Sequence, residues 1–244
     1  MDKINEIIIV GGGSSIKQAD FGYLEPLLAT KFTILTNYAF KHFRGTFLTF
    51  MDKDFYEPAA CKTSEKKKEC PDIWEELEHL PLIIGNKLNN GLTSMLHPNT
   101  ILLDCPREEL HGKLILTGIF ALTIADMFEP EKIFLLGFDW NRRDPKTIPI
   151  GKDYNPNSDL DIHYYGKELK HRGSGYVGFY ENHDPNNYFK YFEKSKSKIY
   201  NVSPNSNIEN FKKIDYTEMY SLLSNQIFEQ EELRNFIKSC FDKI

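Results

Sequence analysis

The run Glu6-Ile7-Ile8-Ile9-Val10, followed at once by Gly11-Gly12-Gly13-Ser14-Ser15, limits this chain more than any other feature. Four consecutive β-branched residues show no alternation, so a strand built from them has no face suited to water. Such strands belong in parallel sheets that are covered on both sides. The glycines end the strand abruptly and let the backbone come close to whatever lies at its carboxyl edge. In open α/β sheets, ligands settle in the crevice outside those edges. Gly11, Gly12, Gly13, Ser14 and Ser15 are therefore the expected ligand loop, with two hydroxyls and a following helical turn offering donors to phosphate oxygens. Neither GxGxxG nor Walker A fits, because Ile16 takes the last glycine place and no Gly-Lys-Ser/Thr follows.

The remaining pattern extends the parallel sheet. Further strands are expected at Phe32 to Thr36, Thr46 to Met51, Leu80 to Ile84, Thr100 to Leu103, Lys132 to Leu136 and, last, Lys198 to Val202. Lys113 to Phe128 is the clearest helix, with Leu116, Ile119, Phe120, Thr123, Ile124 and Met127 at three-and-four spacing. Tyr188 to Lys194 looks helical, and two amphipathic stretches close the chain at Thr217 to Phe228 and Glu231 to Phe241. Strands alternating with helices give an α/β fold, a mostly parallel sheet with helices on both faces. Residues 1–244 read as one domain, with C-terminal helices over 217–244. The charged stretch Asp52 to Cys70 reads as a surface excursion. The polar stretch 141–182 has no periodicity and reads as a lid-like insertion.

Composition narrows the class. The chain has 244 residues, enough for one sizeable core and short for two full domains. Its formal net charge is -5, so no global basic field recruits nucleic acid. The cysteines Cys61, Cys70, Cys105 and Cys240 form no CxxC pair and no zinc-finger spacing. A reduced, cytoplasmic chain is expected. No apolar run reaches the roughly 20 residues of a membrane span, and the N-terminal run is too short for a signal-peptide core.

The chemistry-bearing residues fall mainly at strand ends. Asn37 ends the second strand, where an amide suits a ribose hydroxyl or a base edge. Asp52 and Asp54 follow the third. Asp139 caps the strand Lys132 to Leu136 at the same edge as the glycine loop, and Arg142 and Arg143 just beyond it suit phosphate neutralisation. Ser203, Asn205 and Ser206 follow the last expected strand. Asp184-Pro185 fits a helix N-cap and first position. That puts His183 at a helix mouth, and histidine is the side chain best suited to general-base work near neutrality. In the lid-like stretch, Tyr164, Tyr165, His163 and His171 stand among glycines and arginine, which suits a flap over a charged leaving group.

Taken in order, these pieces resemble a family. The opening Ile9 to Lys17, Asn37-Tyr38-Ala39-Phe40, Thr117-Gly118 at a helix start, Ile133 to Trp140, His183 and Ser203-Pro204-Asn205-Ser206 are similar to the bacterial CMP-sialic-acid-dependent sialyltransferases. The strand-glycine-serine opening and the Gly-Phe-Asp strand end also occur in a broader Rossmann-like group that includes the archaeal-type 6-hydroxymethylpterin pyrophosphokinases. The resemblance implies a Rossmann-like sheet with a lid and metal-independent catalysis. It places a CMP-sugar-like donor on Gly11 to Ser15, Asn37, Asp52, Thr117, Gly118, Asp139, Ser203, Asn205 and Ser206. It places the general base on His183; Asn141 takes the place of the family's leaving-phosphate tyrosine, for which Arg142, Arg143, Tyr164 or Tyr165 is the expected replacement. The family's Gly-Asn-Gly-Pro-Ser loop is Gly-Gly-Gly-Ser-Ser here, and Asp52 stands where the family has asparagine.

Three functions are thus expected in order. The first is an inverting glycosyltransferase with no cofactor, acting on a nucleotide-activated sugar donor and an acceptor hydroxyl of unspecified class. The second is a pyrophosphokinase-like transferase using ATP, with Mg²⁺ on Asp52, Asp54 and Asp139. The third is a non-catalytic nucleotide-binding protein. A homo-oligomer is compatible with all three.

Overall fold

In the computed structural model, the residues described are 3–51, 80–86, 99–107, 110, 116–140, 184 and 186–241. They build one sheet of eight strands: β1 (Glu6–Val10), β2 (Thr33–Thr36), β3 (Phe47–Phe50), β4 (Ile83–Asn86), β5 (Thr100–Leu103), β6 (Lys132–Leu136), β7 (Lys198–Val202) and β8 (Lys212–Lys213). Their order is β5-β4-β3-β2-β1-β6-β7-β8. Every described pairing is parallel, with Ile8 opposite Thr33 on one side of β1 and Val10 opposite Leu136 on the other. The fold is the expected α/β, Rossmann-like architecture.

The lack of alternation in β1 is explained by two cores, one on each face of the sheet. All five β1 residues are buried. Ile7 and Ile9 pack with helix α2 (Thr117–Met127), Phe189 of the short helix α3 (Asn186–Phe189), and Leu233, Ile237 and Phe241 of α5 (Gln230–Phe241). Ile8 and Val10 pack with Leu24 and Leu28 of α1 (Phe21–Thr30) and Tyr216 and Met219 of α4 (Tyr216–Leu222). Burying one such side chain is worth about 1.5–3 kcal/mol, so this strand registers both layers at once.

Several sequence expectations shift. Helix α2 is buried round most of its circumference, with Ile119 to Ala125 all inside, while Met127 is 37% exposed. Its three-and-four spacing marked a core helix rather than a half-solvated one. The last strand is β8, not β7; two lysines carry no strand pattern, and β8 is visible only through its pairing with Tyr200 and Asn201. Strand β4 begins at Ile83 rather than Leu80. The helix expected at 188–194 starts at Asn186 and tightens into a 3-10 turn at Lys190–Phe192. The stretch 217–228 is helical only to Leu222.

At the amino edge of the sheet, a polar knot ties the ends of the chain together. Lys31 donates to Glu6 Oε1 at 2.9 Å, Ser224 O at 2.7 Å and Gln226 O at 2.6 Å, which uses all three ammonium protons. Ser224 Oγ also donates to Glu6, at 2.7 Å. The Lys31 and Glu6 side chains are 4% and 1% exposed. No described helix is long and apolar enough to cross a membrane.

Candidate functional site

The strand order reverses at β1: the chain builds outward from β1 to β5, then α2 carries it back to β6 on the other side. A ligand crevice is expected between the carboxyl ends of β1 and β6. There the structure brings the glycine loop and the end of β6 into direct contact. Gly11 N donates to Leu136 O at 2.7 Å, and Gly13 N donates to Gly137 O at 2.8 Å. A Cβ on Gly11 would lie 2.7 Å from Gly137 O, and one on Gly13 would lie 2.6 Å from the same oxygen and 2.7 Å from the Asp139 carboxylate. Gly137 itself has φ +69°. Gly11 and Gly13 are thus required by the approach of one protein loop to another. Their N–H groups are spent on it and are not offered to a phosphate.

The serines follow the same logic. Ser15 donates to Asp139 through both its N–H, at 2.8 Å to Oδ2, and its hydroxyl, to Oδ1. Ser14 Oγ donates to Oδ2 at 3.3 Å, and Ser203 Oγ to Oδ1 at 2.8 Å. Asp139, 5% exposed, is therefore an inward-facing bracket. Both carboxylate oxygens, expected to meet a ligand or a metal, receive protein donors. The hydroxyls of Ser14 and Ser15, expected to face phosphate, face Asp139 instead.

The loop after β7 was expected to hold base or sugar, and it holds the turn after β6. Phe138 O accepts from Ser206 Oγ at 2.7 Å and from Asn201 Nδ2 at 3.1 Å. Asp139 O accepts from Asn207 N at 2.9 Å, and Trp140 O from Asn207 Nδ2 at 2.8 Å. Three successive carbonyls are fixed in this way, which holds Trp140 at φ +43°. Ser203 and Ser206 are scaffold, and Asn205 is exposed. Asn201 and Asn207 were not singled out in the sequence. An asparagine inside the strand Lys-Ile-Tyr-Asn-Val is out of keeping with strand composition, and that was the available signal. Gly118 is also explained by packing, since a Cβ there would lie 2.8 Å from the Phe138 ring.

Asn37, directly after β2, holds φ +49°, a left-handed conformation that asparagine tolerates better than most residues. Its Oδ1 is buried without a hydrogen-bond partner. Beside it, Thr36 Oγ1 donates to Val10 O at 2.9 Å and joins β2 to the start of the glycine loop. Gly12 is half-buried. On the α2 face, Thr117 opens the helix behind Leu116, whose side chain offers no cap. Asn86, 1% exposed, ends β4. On the α4 face, burial raises the pKa of Tyr216, and the nearby Tyr220 and Asp139 push it further up. Asp52, Asp54, Arg142, Arg143, His163, Tyr164, Tyr165, His171 and His183, with the lid-like stretch 141–182, lie outside the described residues. Of the expected site, the structure therefore brings together Gly11 to Ser15, Asn37, Asp139 and the 203–206 loop.

No family model matches the chain, and no curated protein matches it. Among solved structures, one similar chain is the sialyltransferase CstII from Campylobacter jejuni, in complex with a substrate analogue, cytidine-5'-monophosphate. The two are 16% identical, with a TM-score of 0.48, and the match covers 93% of this chain and 90% of that chain.

Proposed function

We propose that this chain is a glycosyltransferase-like enzyme that seats a nucleotide-activated sugar over Gly12 and Asn37 at the carboxyl edge of β1 and β2. The observation that carries the reading is Asn37 Oδ1. It is a buried acceptor with no partner, on a residue held at φ +49°, at the carboxyl end of β2, the neighbour of β1 in a parallel sheet. Buried polar groups are almost always paired. This one is suited to take a hydrogen bond from a ribose hydroxyl or a base amine. The CMP class of donor rests on the order of motifs in the sequence, as do His183 as the base that takes the acceptor proton and Arg142, Tyr164 and Tyr165 as groups on the departing phosphate. The inward-facing Asp139 carboxylate weakens the Mg²⁺-dependent reading, which needs that residue as a ligand.

The test is a thermal-shift panel of CMP, a CMP-sugar, UMP and ATP, with Mg²⁺ and with EDTA. A ligand at 100 times its Kd stabilises by about 2.7 kcal/mol, which raises Tm by roughly 5–10 °C at this chain length. A shift with cytidine nucleotides that EDTA leaves intact is expected, and Asn37→Gly, which keeps the backbone conformation, should weaken it. Stabilisation by ATP alone, and only with Mg²⁺, would return the pyrophosphokinase reading. No shift with any nucleotide would overturn all three nucleotide-binding readings.

A further inference from the structure

A row of tyrosines runs between α1 and α4, beside the turn that leads out of the glycine loop. Tyr216 and Tyr220 stand one helical turn apart on α4, with ring centroids 6.2 Å apart. Tyr23 of α1 meets Tyr220 edge-on at 4.8 Å. Tyr216 is 7% exposed, yet its hydroxyl and that of Tyr220 are both buried without a hydrogen-bond partner. Two orphaned hydroxyls in one seam, contributed to a single helix face, are unusual in a native core. At the outer end, Tyr23 is 54% and Phe21 37% exposed, and Phe21 is braced by Phe43 at 5.2 Å. At the inner end stands the Asp139 bracket; Asp20, the N-cap of α1, flanks Tyr220.

The chemistry of this seam selects its ligand. The two phenols are donors held in their protonated form. Burial is the main cause that keeps them so; the carboxylate of Asp139 adds to it at Tyr216 and that of Asp20 at Tyr220, and both negative charges disfavour an anionic guest. The rim is aromatic and amphipathic, suited to an apolar face with polar edges. A ligand that fits accepts hydrogen bonds, carries no charge and presents a C–H face to a ring. A neutral saccharide has all three properties.

We propose that the α1–α4 seam is a binding site for a neutral saccharide, with Tyr216 and Tyr220 as donors and the exposed Tyr23 as the stacking platform. Tyr23, the ring solvent reaches most freely, covers Tyr220, and its rotation admits the sugar to the hydroxyls. The seam's role as the seat of the acceptor rests on the transferase reading; the binding itself does not.

The experiment is saturation-transfer NMR on the full chain without nucleotide, with methyl β-galactoside, lactose and N-acetylglucosamine as probes and glucuronate as the charged control. Transfer to the C–H groups of a neutral probe is expected, and none to glucuronate. Tyr23→Ala should weaken binding at least tenfold. Tyr216→Phe should weaken it about three- to ten-fold, the worth of one hydrogen bond, while raising Tm, because it removes a hydroxyl the unliganded protein leaves unpaired. Absence of transfer to every neutral probe overturns the proposal, and so does a Tyr216→Phe protein that binds like wild type or a preference for glucuronate. A chain that binds these sugars but no nucleotide keeps the seam and loses the transferase; the reverse result loses the seam alone.

Discussion

Replacing Asp139 separates a scaffold role from a ligand role. Its carboxylate accepts from Ser15 N, Ser15 Oγ, Ser203 Oγ and Ser14 Oγ. In Asp139→Ala, the Ser15 N–H and the Ser15 and Ser203 hydroxyls lose a charged acceptor inside the protein. Each such bond is worth about 1.5–3 kcal/mol. Three together, reduced because hydroxyls can turn and bonds in one network are not additive, give a loss of about 3–5 kcal/mol. Asp139→Asn is gentler. Its amide oxygen can stay at the Oδ2 position for Ser15 N. Its NH₂ group then faces two hydroxyls, and each can reverse to accept, so the cost is about 1–2 kcal/mol. Equilibrium urea unfolding followed by far-UV circular dichroism should rank wild type above Asn above Ala. An alanine variant within 1 kcal/mol of wild type would show that the carboxylate is not a bracket. An asparagine variant as damaged as alanine would show that the charge itself is needed, and would revive a cation at this position.

Five further outcomes are expected, the one at His183 from the sequence and the proposed function alone. Gly13→Ala, with its Cβ 2.6 Å from Gly137 O, should cost about 1–3 kcal/mol by overpacking, whereas Gly12→Val should leave far-UV dichroism intact and abolish nucleotide binding. Lys31→Met leaves Glu6 buried and without its cation, so urea unfolding should show a loss of about 3–5 kcal/mol, most of it recovered in the double variant with Glu6→Gln. His183→Ala should lower kcat by about 10²- to 10⁴-fold with donor affinity unchanged in titration calorimetry. Tyr216 is held protonated in the fold, so its contribution is complete below the ordinary phenol pKa of about 10 and declines as pH rises through and above it; urea unfolding at pH 9 and pH 11 should show a smaller decline in Tyr216→Phe than in wild type.

The sheet was legible where a residue's neighbours are dictated by its own strand. Ile7 to Val10 demanded cover on both faces, and two cores supply it. The same reasoning found β2, β3, β5, β6 and β7 within a residue or so. It missed what only a partner defines. Strand β8 exists because Lys212 and Lys213 lie beside Tyr200 and Asn201, not because lysine favours a strand. The knot of Lys31 and Glu6 was equally hidden, since its acceptors at Ser224 and Gln226 lie more than 190 residues away in sequence. Charged residues at strand ends read as solvated until a distant carbonyl is seen to claim them.

The glycine loop shows why a site is harder to read than a fold. Strand-glycine-serine states that a backbone comes close to something and that donors gather there. It does not state what the something is. Here the close partner is the protein's own β6 turn: Gly11, Gly13, Ser14 and Ser15 direct their donors at Leu136, Gly137 and Asp139. Ser203, Ser206, Asn201 and Asn207 then fix that turn from the opposite side. Gly11, Gly13, Ser14, Ser15, Asp139, Ser203 and Ser206, which the sequence marks as ligand contacts, are therefore tied to one another in a frame. Among the described residues, Asn201 Oδ1 within that frame and Asn37 Oδ1, on the neighbouring side of β1, are buried without a partner. Such a division is physically reasonable, because a crevice wall gains precision when its own polar groups are tied internally. It also implies that substitutions in the frame should first be measured as losses of stability, and that altered recognition with an unchanged fold should be sought at Gly12 and Asn37.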